Sequence, residues 1–467
     1  MPRRTFGRGF AMIARSFGSG PSMRRCVLGI VAALVLAIGI ASPAWADVRP
    51  STDLVLGSTE ASRGLSIDNS PDIDAEAALA VTYDGRELFA RNADSEYKIA
   101  SITKIMTAIV ALDNASLTDT ITVSDKAGTT IGSSAQLRPG DTMSLKTALQ
   151  GLLVPSGNDA AVAIAETVGA RLVTDAQPDP EGAFVDAMNA RAAEIGCTDT
   201  LFTNPHGLDS DGYESDAHST AHDVAKMTAY AMQNDTFRSI VGGGDVTVTV
   251  TQKDGTQRAI TLISTDELLG VYDGMVGVKT GTGDVALNCF AGACERTEDS
   301  IYTVVLGSST EEGRFDATTS LLDWAFDNIQ DVDLINSPYA LDRSGANVPV
   351  VAEVACTAWP DKTVRATVAD PDALTRIFAA SGTITQDVSY DEPSGAVKSG
   401  DKVGAIDFFQ GSERIASVDL IAAEDVAAPN IFEGFGIWFA RLVADLQGQP
   451  SVAASACYNV PTPIMDR

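Results

Sequence analysis

Ser101-Ile102-Thr103-Lys104 opens a segment, residues 101–112, in which Ile105, Met106, Ile109 and Val110 recur at the spacing of one buried helix face. The segment is therefore expected to be a helix with Ser101 at its start. A hydroxyl and an amine three residues apart then lie one turn from each other on the same side and can meet. A serine is a weak nucleophile until a base takes its proton, and a lysine acts as that base only when its pKa is lowered. Burial and the positive end of the helix dipole both disfavour an ammonium at this position. The same helix end aims the Ser101 N–H at a carbonyl under attack. Taken alone, the pattern is more readily that of a capping serine followed by a solvated lysine.

Outward from this helix the chain alternates in texture. Residues 78–81 and 87–90, joined around Asp84-Gly85, read as two strands of a hairpin, and 145–153 and 160–168 repeat the helical spacing. Strand patterns return at 246–251, 259–263, 287–291 and 301–306, before a helix over 317–326. Strands at both ends with helices between predict an α/β fold of the α+β kind, one mixed sheet with helices packed on it. Residues 333–430 alternate and carry turn signals at Gly345, Asp361 and Ser399-Gly400, as in a small all-β domain. Ile431, Phe435, Trp438, Leu442 and Leu446 then recur at helical spacing. This amphipathic stretch either lies on a membrane surface or packs on the β domain.

The N-terminal 46 residues contain six arginines and no acid, an apolar run over 27–41, and Ala44-Trp45-Ala46 before Asp47. That is the pattern of a cleaved export signal. The expected division is thus 1–46 signal, 47–74 linker, 75–332 catalytic domain, 333–430 β domain, 431–447 amphipathic helix and 448–467 tail. Removing the six arginines from the 33 basic residues leaves 27 against 62 acidic ones, a formal charge of −35. So acidic a surface excludes nucleic acid as a partner. Outside the signal stand Cys197, Cys289, Cys294, Cys356 and Cys457, an odd number, so at least one thiol stays unpaired. Cys289 and Cys294 either pair or face apart. With three histidines and no Cys/His ligand spacing, neither a metal nor another cofactor is expected.

Two further stretches carry chemistry. In Val154-Pro155-Ser156-Gly157-Asn158-Asp159, Gly157 is expected to make the bend that points Ser156 and Asn158 into one cleft, a hydroxyl for proton relay and an amide to hold a peptide group. In Gly277-Val278-Lys279-Thr280-Gly281-Thr282, an extended strand puts Lys279 and Gly281 on one face. The missing side chain at Gly281 would let a substrate backbone lie alongside, with the Thr282 N–H as a second oxyanion donor.

The order S-x-x-K, S-x-N, K-T-G resembles the low-molecular-weight penicillin-binding proteins, the D-alanyl-D-alanine carboxypeptidases of serine peptidase family S11. Asn204-Pro205-His206-Gly207-Leu208-Asp209 and Ser219-Thr220-Ala221-His222-Asp223-Val224-Ala225 resemble two further stretches of that family, and Arg314-Phe315 its carboxylate-binding arginine. The segment 398–404 and the amphipathic stretch are similar to the family's second domain and membrane-associating helix. The resemblance implies a penicillin-binding/β-lactamase-like catalytic domain and an exported, envelope-located carboxypeptidase that acts on peptidoglycan stem peptides and is inhibited by β-lactams. It implies that Ser101 attacks, Lys104 accepts its proton and Ser156 passes it to the departing D-alanine. Asn158 would orient the peptide, Lys279 would supply positive field, and Thr280 and Arg314 would grip the terminal carboxylate. Gly283, Asp284, Ala286 and Leu287 depart from the family pattern, and Asp284 adds an anion near that site. His206 reads as a structural histidine. The rival readings are a β-lactamase, a minor transpeptidase activity and a catalytically silent wall-binding scaffold.

Overall fold

Residues 77–80, Ala-Ala-Leu-Ala, are buried on both sides of the strand they form. In the computed structural model, which describes residues 52–59, 62, 70–342 and 344–464, this strand lies inside a seven-stranded sheet. In chain order the strands of the first two thirds are β1 Leu54–Val55, β2 Ser58–Thr59, β3 Ala77–Thr82, β4 Glu87–Arg91, β5 Thr120–Thr122, β6 Thr142–Ser144, β7 Val246–Thr251, β8 Gln257–Leu262, β9 Met275–Gly283, β10 Leu287–Glu295 and β11 Ser300–Ser308. The main sheet has the order β2-β1-β4-β3-β11-β10-β9, which leaves β9 at one edge.

The expected mixed sheet is corrected, because these neighbours all pair antiparallel. Tight turns join β3 to β4, β9 to β10 and β10 to β11, and a hairpin can only be antiparallel. β7 and β8 are not part of it either. They form a separate sheet of order β5-β6-β7-β8. The linker over 47–74 is likewise corrected in its described part: Leu54 pairs with Ala90, and Asp53 makes a buried two-pronged ion pair with Arg91. Strands of two residues are too short to show alternation. The export signal lies outside the described residues.

Alternation along the strands sends side chains into two cores. Leu79, Cys289, Ala291 and Val304 face one, packed against helices α1 Lys104–Asn114, α2 Leu145–Leu153, α3 Asn158–Gly169, α4 Pro180–Glu194, α5 Ala221–Met232 and α6 Asp235–Val241. Ala78, Phe290, Cys294 and Val305 face the other, covered by Leu321, Leu322 and Ala325 of α7 Glu311–Asn328. Cys289 and Cys294 therefore point to opposite faces, and the five described cysteines are free thiols. α3 is buried from Asn158 to Ala165, and its alanines let neighbouring helices come close. At Gly169 a Cβ would lie 2.0 Å from the Pro180 carbonyl, so α3 and α4 meet there through backbone.

The remaining strands are β12 Ile329–Asp333, β13 Tyr339–Leu341, β14 Asn347–Pro349, β15 Ala352–Ala355, β16 Thr363–Thr367, β17 Leu374–Phe378, β18 Ile384–Tyr390, β19 Lys402–Gln410, β20 Glu413–Ala422 and β21 Ala456–Cys457. Six of them form a sheet of order β18-β19-β20-β16-β15-β21 around Val354, Val364, Ile406, Phe408 and Leu420. The segment expected as a tail is part of this domain: β21 pairs with β15, and Asn459 bonds Leu334, Asn336, Ser337 and Gln386. A polar segment of such short strand content carries no periodic signal. Between β20 and β21 runs α8 Ile431–Leu446, opened by a capping box of Asn430 and Glu433.

Candidate active site

The chain enters α1 through a 3-10 turn, Ala100–Thr103, so the α-helix starts at Lys104 and not at Ser101. In a 3-10 turn residues i and i+3 eclipse. Lys104 Nζ accordingly lies 2.7 Å from Ser101 Oγ, and it donates to the His206 carbonyl at 2.9 Å. Ala100 bends the chain with a φ of +45°, and Gly207 sits so close that a Cβ there would be 1.9 Å from the Ala100 oxygen. The glycine in Asn204-Pro205-His206-Gly207 is what lets this loop press against the serine turn. Lys104 is wholly buried. Burial first, and the Lys279 cation second, push its pKa well below the ordinary lysine value, against a weaker pull from Asp159. Its ammonium form is thus disfavoured beside the hydroxyl it must activate.

Ser156 and Asn158 are also buried. The bend expected at Gly157 is taken by Ser156, with a φ of +62°, while Gly157 itself is extended with a φ of −62° and a ψ of 121°. Gly157 is needed for space: a Cβ would come within 2.6 Å of both the Gly151 oxygen and Asp159 Oδ1. Among the described residues the Ser156 hydroxyl and Asn158 Oδ1 have no hydrogen-bond partner, while Asn158 Nδ2 donates to the Ile131 carbonyl at 2.8 Å. Asp159 accepts from the Ala135 and Leu137 N–H groups and the Ser134 hydroxyl, and so holds the facing loop.

β9 brings the third stretch to the serine. Lys279 is buried and donates to the Thr280 carbonyl at 2.9 Å, and its pKa is lowered to about 7 by burial and then by Arg314, with Asp266 opposing. The Thr280 hydroxyl lies 2.7 Å from that of Thr265, whose N–H reaches the Val154 carbonyl at 3.2 Å. Thr265 thus ties β9 to the Ser156 loop. Arg314, in the first turn of α7, donates to the Gly281 carbonyl at 3.1 Å and to the Thr282 hydroxyl at 2.7 Å. Burial lowers its pKa. The reading of Gly281 as room for a substrate backbone is corrected, because its Cβ direction points at the protein. A Cβ would lie 2.7 Å from the Ile99 carbonyl and 3.3 Å from the Ser101 nitrogen.

The turn that departs from the family pattern has its own support. Asp209 is buried and accepts from the N–H groups of Asp284, Val285 and Ala286 at 3.2, 3.2 and 2.9 Å. A Cβ at Gly283 would meet Asp209 Oδ2 at 2.4 Å, which accounts for the glycine. His206 accepts at Nδ1 from the Leu208 N–H, packs edge-on against Tyr213, and has its pKa lowered to about 3 by burial and then by Lys104. It is a neutral imidazole.

The residues picked from sequence thus converge from three parts of the chain, joined by contacts through Thr265, Thr280 and Gly281. Sequence reasoning missed Thr265 and Asp266, and it quoted Asp159 and Asp209 without giving either the loop it holds. No local signal marks the tasks of Asp159 and Asp209, because the loops they hold, at 134–137 and 284–286, are distant in sequence.

A buried lysine against a serine, a K-T-G edge strand and a helical layer on an antiparallel sheet define the penicillin-binding class of serine enzyme. The sequence profile of the D-alanyl-D-alanine carboxypeptidases, peptidase family S11, matches residues 65–310. The D-alanyl-D-alanine carboxypeptidase DacB2 of Mycobacterium tuberculosis is 33% identical over 261 residues, which cover 55% of this chain and 84% of the relative. DacF of Bacillus subtilis is 28% identical over 361 residues, covering 76% and 86%. Among solved structures, the Streptomyces K15 DD-transpeptidase superposes with a TM-score of 0.52 at 31% identity, over 55% of this chain and 99% of that one. The chain belongs to the D-alanyl-D-alanine carboxypeptidase family and is a serine-type carboxypeptidase of it.

Proposed function

We propose that this protein removes the terminal D-alanine from peptidoglycan stem peptides through an acyl-enzyme on Ser101. The observation that carries the reading is the wholly buried Lys104 side chain with its Nζ 2.7 Å from Ser101 Oγ. Lys104 takes the serine proton as the Ser101 oxygen bonds the carbonyl carbon between the two D-alanines. Ser156 passes that proton to the leaving nitrogen, and the C–N bond breaks. Asn158 orients the peptide, and β9 receives it as an added strand, since an edge strand keeps backbone groups to offer. Thr280, Thr282, Arg314 and Lys279 hold the terminal carboxylate, and the field of the two cations favours an anion there. Water then hydrolyses the ester.

β-Lactams are expected to acylate the same serine. Intact-mass measurement after penicillin should show one adduct on the wild type and none on S101A; an adduct retained by S101A would sink the assignment. Label lost within seconds would favour a β-lactamase, and an unlabelled wild type a silent scaffold.

Export to the cell envelope is supported by the N-terminal pattern, and contact with a membrane surface by α8. Among the described residues no helix is long and apolar enough to cross a membrane. On α8, Phe432, Phe435, Trp438 and Phe439 are 90%, 72%, 59% and 57% exposed, while Ile437 and Arg441 face the β domain, the latter bonding the Thr357 carbonyl. Such a face suits an interfacial helix. Vesicle co-sedimentation that is equal for the wild type and for F435S/W438S would remove this part of the proposal.

A further inference from the structure

Asp266 is an acid of the site that the reaction above leaves without a task. It stands in Ser264-Thr265-Asp266-Glu267, the segment that Thr265 ties both to the Ser156 loop and to β9. Its Oδ1 accepts from the Leu268 N–H at 2.9 Å, while Oδ2 is shut off from solvent and has no hydrogen-bond partner among the described residues. Burial raises this carboxyl to a pKa of about 6, with the Leu268 and Leu269 N–H groups, Lys279 and Arg314 pulling the other way.

Lys279 and Arg314, the two cations whose charge reaches it, have no ion-pair partner among the described residues. Among the described residues, the Lys279 amine bonds only neutral oxygens, those of Thr280. Arg314 across the site bonds the neutral Gly281 and Thr282 oxygens. The charges that reach Lys279 are Arg314 on α7, which disfavours its ammonium, and Asp266, which favours it. Those that reach Arg314 include Glu311 on its own helix, and Glu267 and Asp266 on the segment before β9. Lys104 faces Lys279 from α1 and is countered by Asp159. A buried ammonium persists only where an anion is near, and the carboxyl with an unpartnered buried oxygen, carried next to Thr265 whose hydroxyl meets that of Thr280 beside Lys279, is that of Asp266.

We propose that Asp266 is a positioning residue of the carboxypeptidase reaction: it is the counter-ion that keeps Lys279 an ammonium in the free enzyme, and through Lys279 it fixes the alkaline end of the pH range in which a carboxylate-terminated peptide is accepted. The inference rests on the placement of the terminal carboxylate beside Lys279, Thr280 and Arg314. In this arrangement the acid limb of the pH profile belongs to Lys104, which must be an amine, and the alkaline limb to Lys279, which must be charged.

The test is the second-order rate of acylation of the full chain by a fluorescent, carboxylate-bearing penicillin, measured across both limbs for the wild type, D266N and D266S. The neutral variants should lose the alkaline limb to lower pH by roughly one unit, with the acid limb in place. A purely structural role would lower the whole curve and move neither limb. Two replacements guard against a folding defect in one of them, with circular dichroism identifying the folded variant. An alkaline limb in the folded variant that coincides with the wild type overturns the inference, whatever the height of the curve. A wild type left unlabelled at every pH overturns the serine-enzyme reading and this inference with it; a labelled wild type with an unmoved limb in the variant overturns this one alone.

Discussion

At Gly281 the absence of one carbon sets where the nucleophile sits. A methyl group there would press on the Ile99 carbonyl and the Ser101 nitrogen, both backbone, so relief requires moving the serine turn. G281A is expected to lower the penicillin acylation rate by about 100-fold, the cost of a displacement near 1 Å in a reacting geometry. The melting temperature should change little, since the strain is local, and a rate within a few-fold of wild type would contradict the reading. A second residue-scale prediction concerns His222, whose Nδ1 and Nε2 lie 2.7 and 2.8 Å from Asp94 and Glu87. The bond to Glu87 above all, and then that to Asp94, raise its pKa against partial burial. A raised folded-state pKa stabilises the protein fully below the unfolded value, about 6.5, and that contribution fades as pH rises through the folded value. Urea unfolding on both sides of that window should show wild type losing stability towards alkaline pH relative to H222Q. At this scale the sequence offered its candidate reactive groups directly, because hydroxyl, amine and amide chemistry is written in residue type. It could not name their steric supports, since the reason for Gly157 or Gly281 lies in backbone from another part of the chain.

Among the elements, the turn between β9 and β10 depends on a residue far from it in sequence. Three consecutive N–H groups of that turn converge on Asp209, so D209A strands them and should cost roughly 2–4 kcal/mol of stability. The same variant should raise KM for peptide substrates more than it lowers kcat, because the strand that receives the peptide loses its end support. Equal stability of D209A and wild type in denaturant would rule this out. Helices α1, α2, α3 and α7 were legible from apolar spacing, as was the hairpin of β3 and β4. The 3-10 turn at Ser101 was not, because its hydrophobic pattern is that of the helix it leads into. Nor were β1, β2 and β21, whose pairing is decided by partners already in the sheet and by no periodicity of their own.

Across the described molecule, two sheet-based parts share a seam in which β12 pairs with β17 and the Trp324 ring meets Phe378 edge-on at 5.4 Å. The sequence boundary near 333 fell a few residues inside this seam, since the texture change marks the new core and not the strand that joins it to the old one. No covalent link braces the two parts among the described residues: Cys197, Cys289, Cys294, Cys356 and Cys457 are free thiols, and burial pushes the first two up to about 12. Alkylation of the denatured protein without reductant should therefore modify all five, and a reducing agent should leave the melting temperature unchanged. Fewer modified thiols would reveal a crosslink.

α8 is moored at both ends, by β20 before it and by β21 after it, with a cap at Asn430 that completes its first turn. A helix fastened in this way is already wound before it touches anything, unlike a trailing terminus that coils only on arrival. Landing on a lipid bilayer would then require no gain of helical content, and the far-ultraviolet spectrum should read the same with and without vesicles.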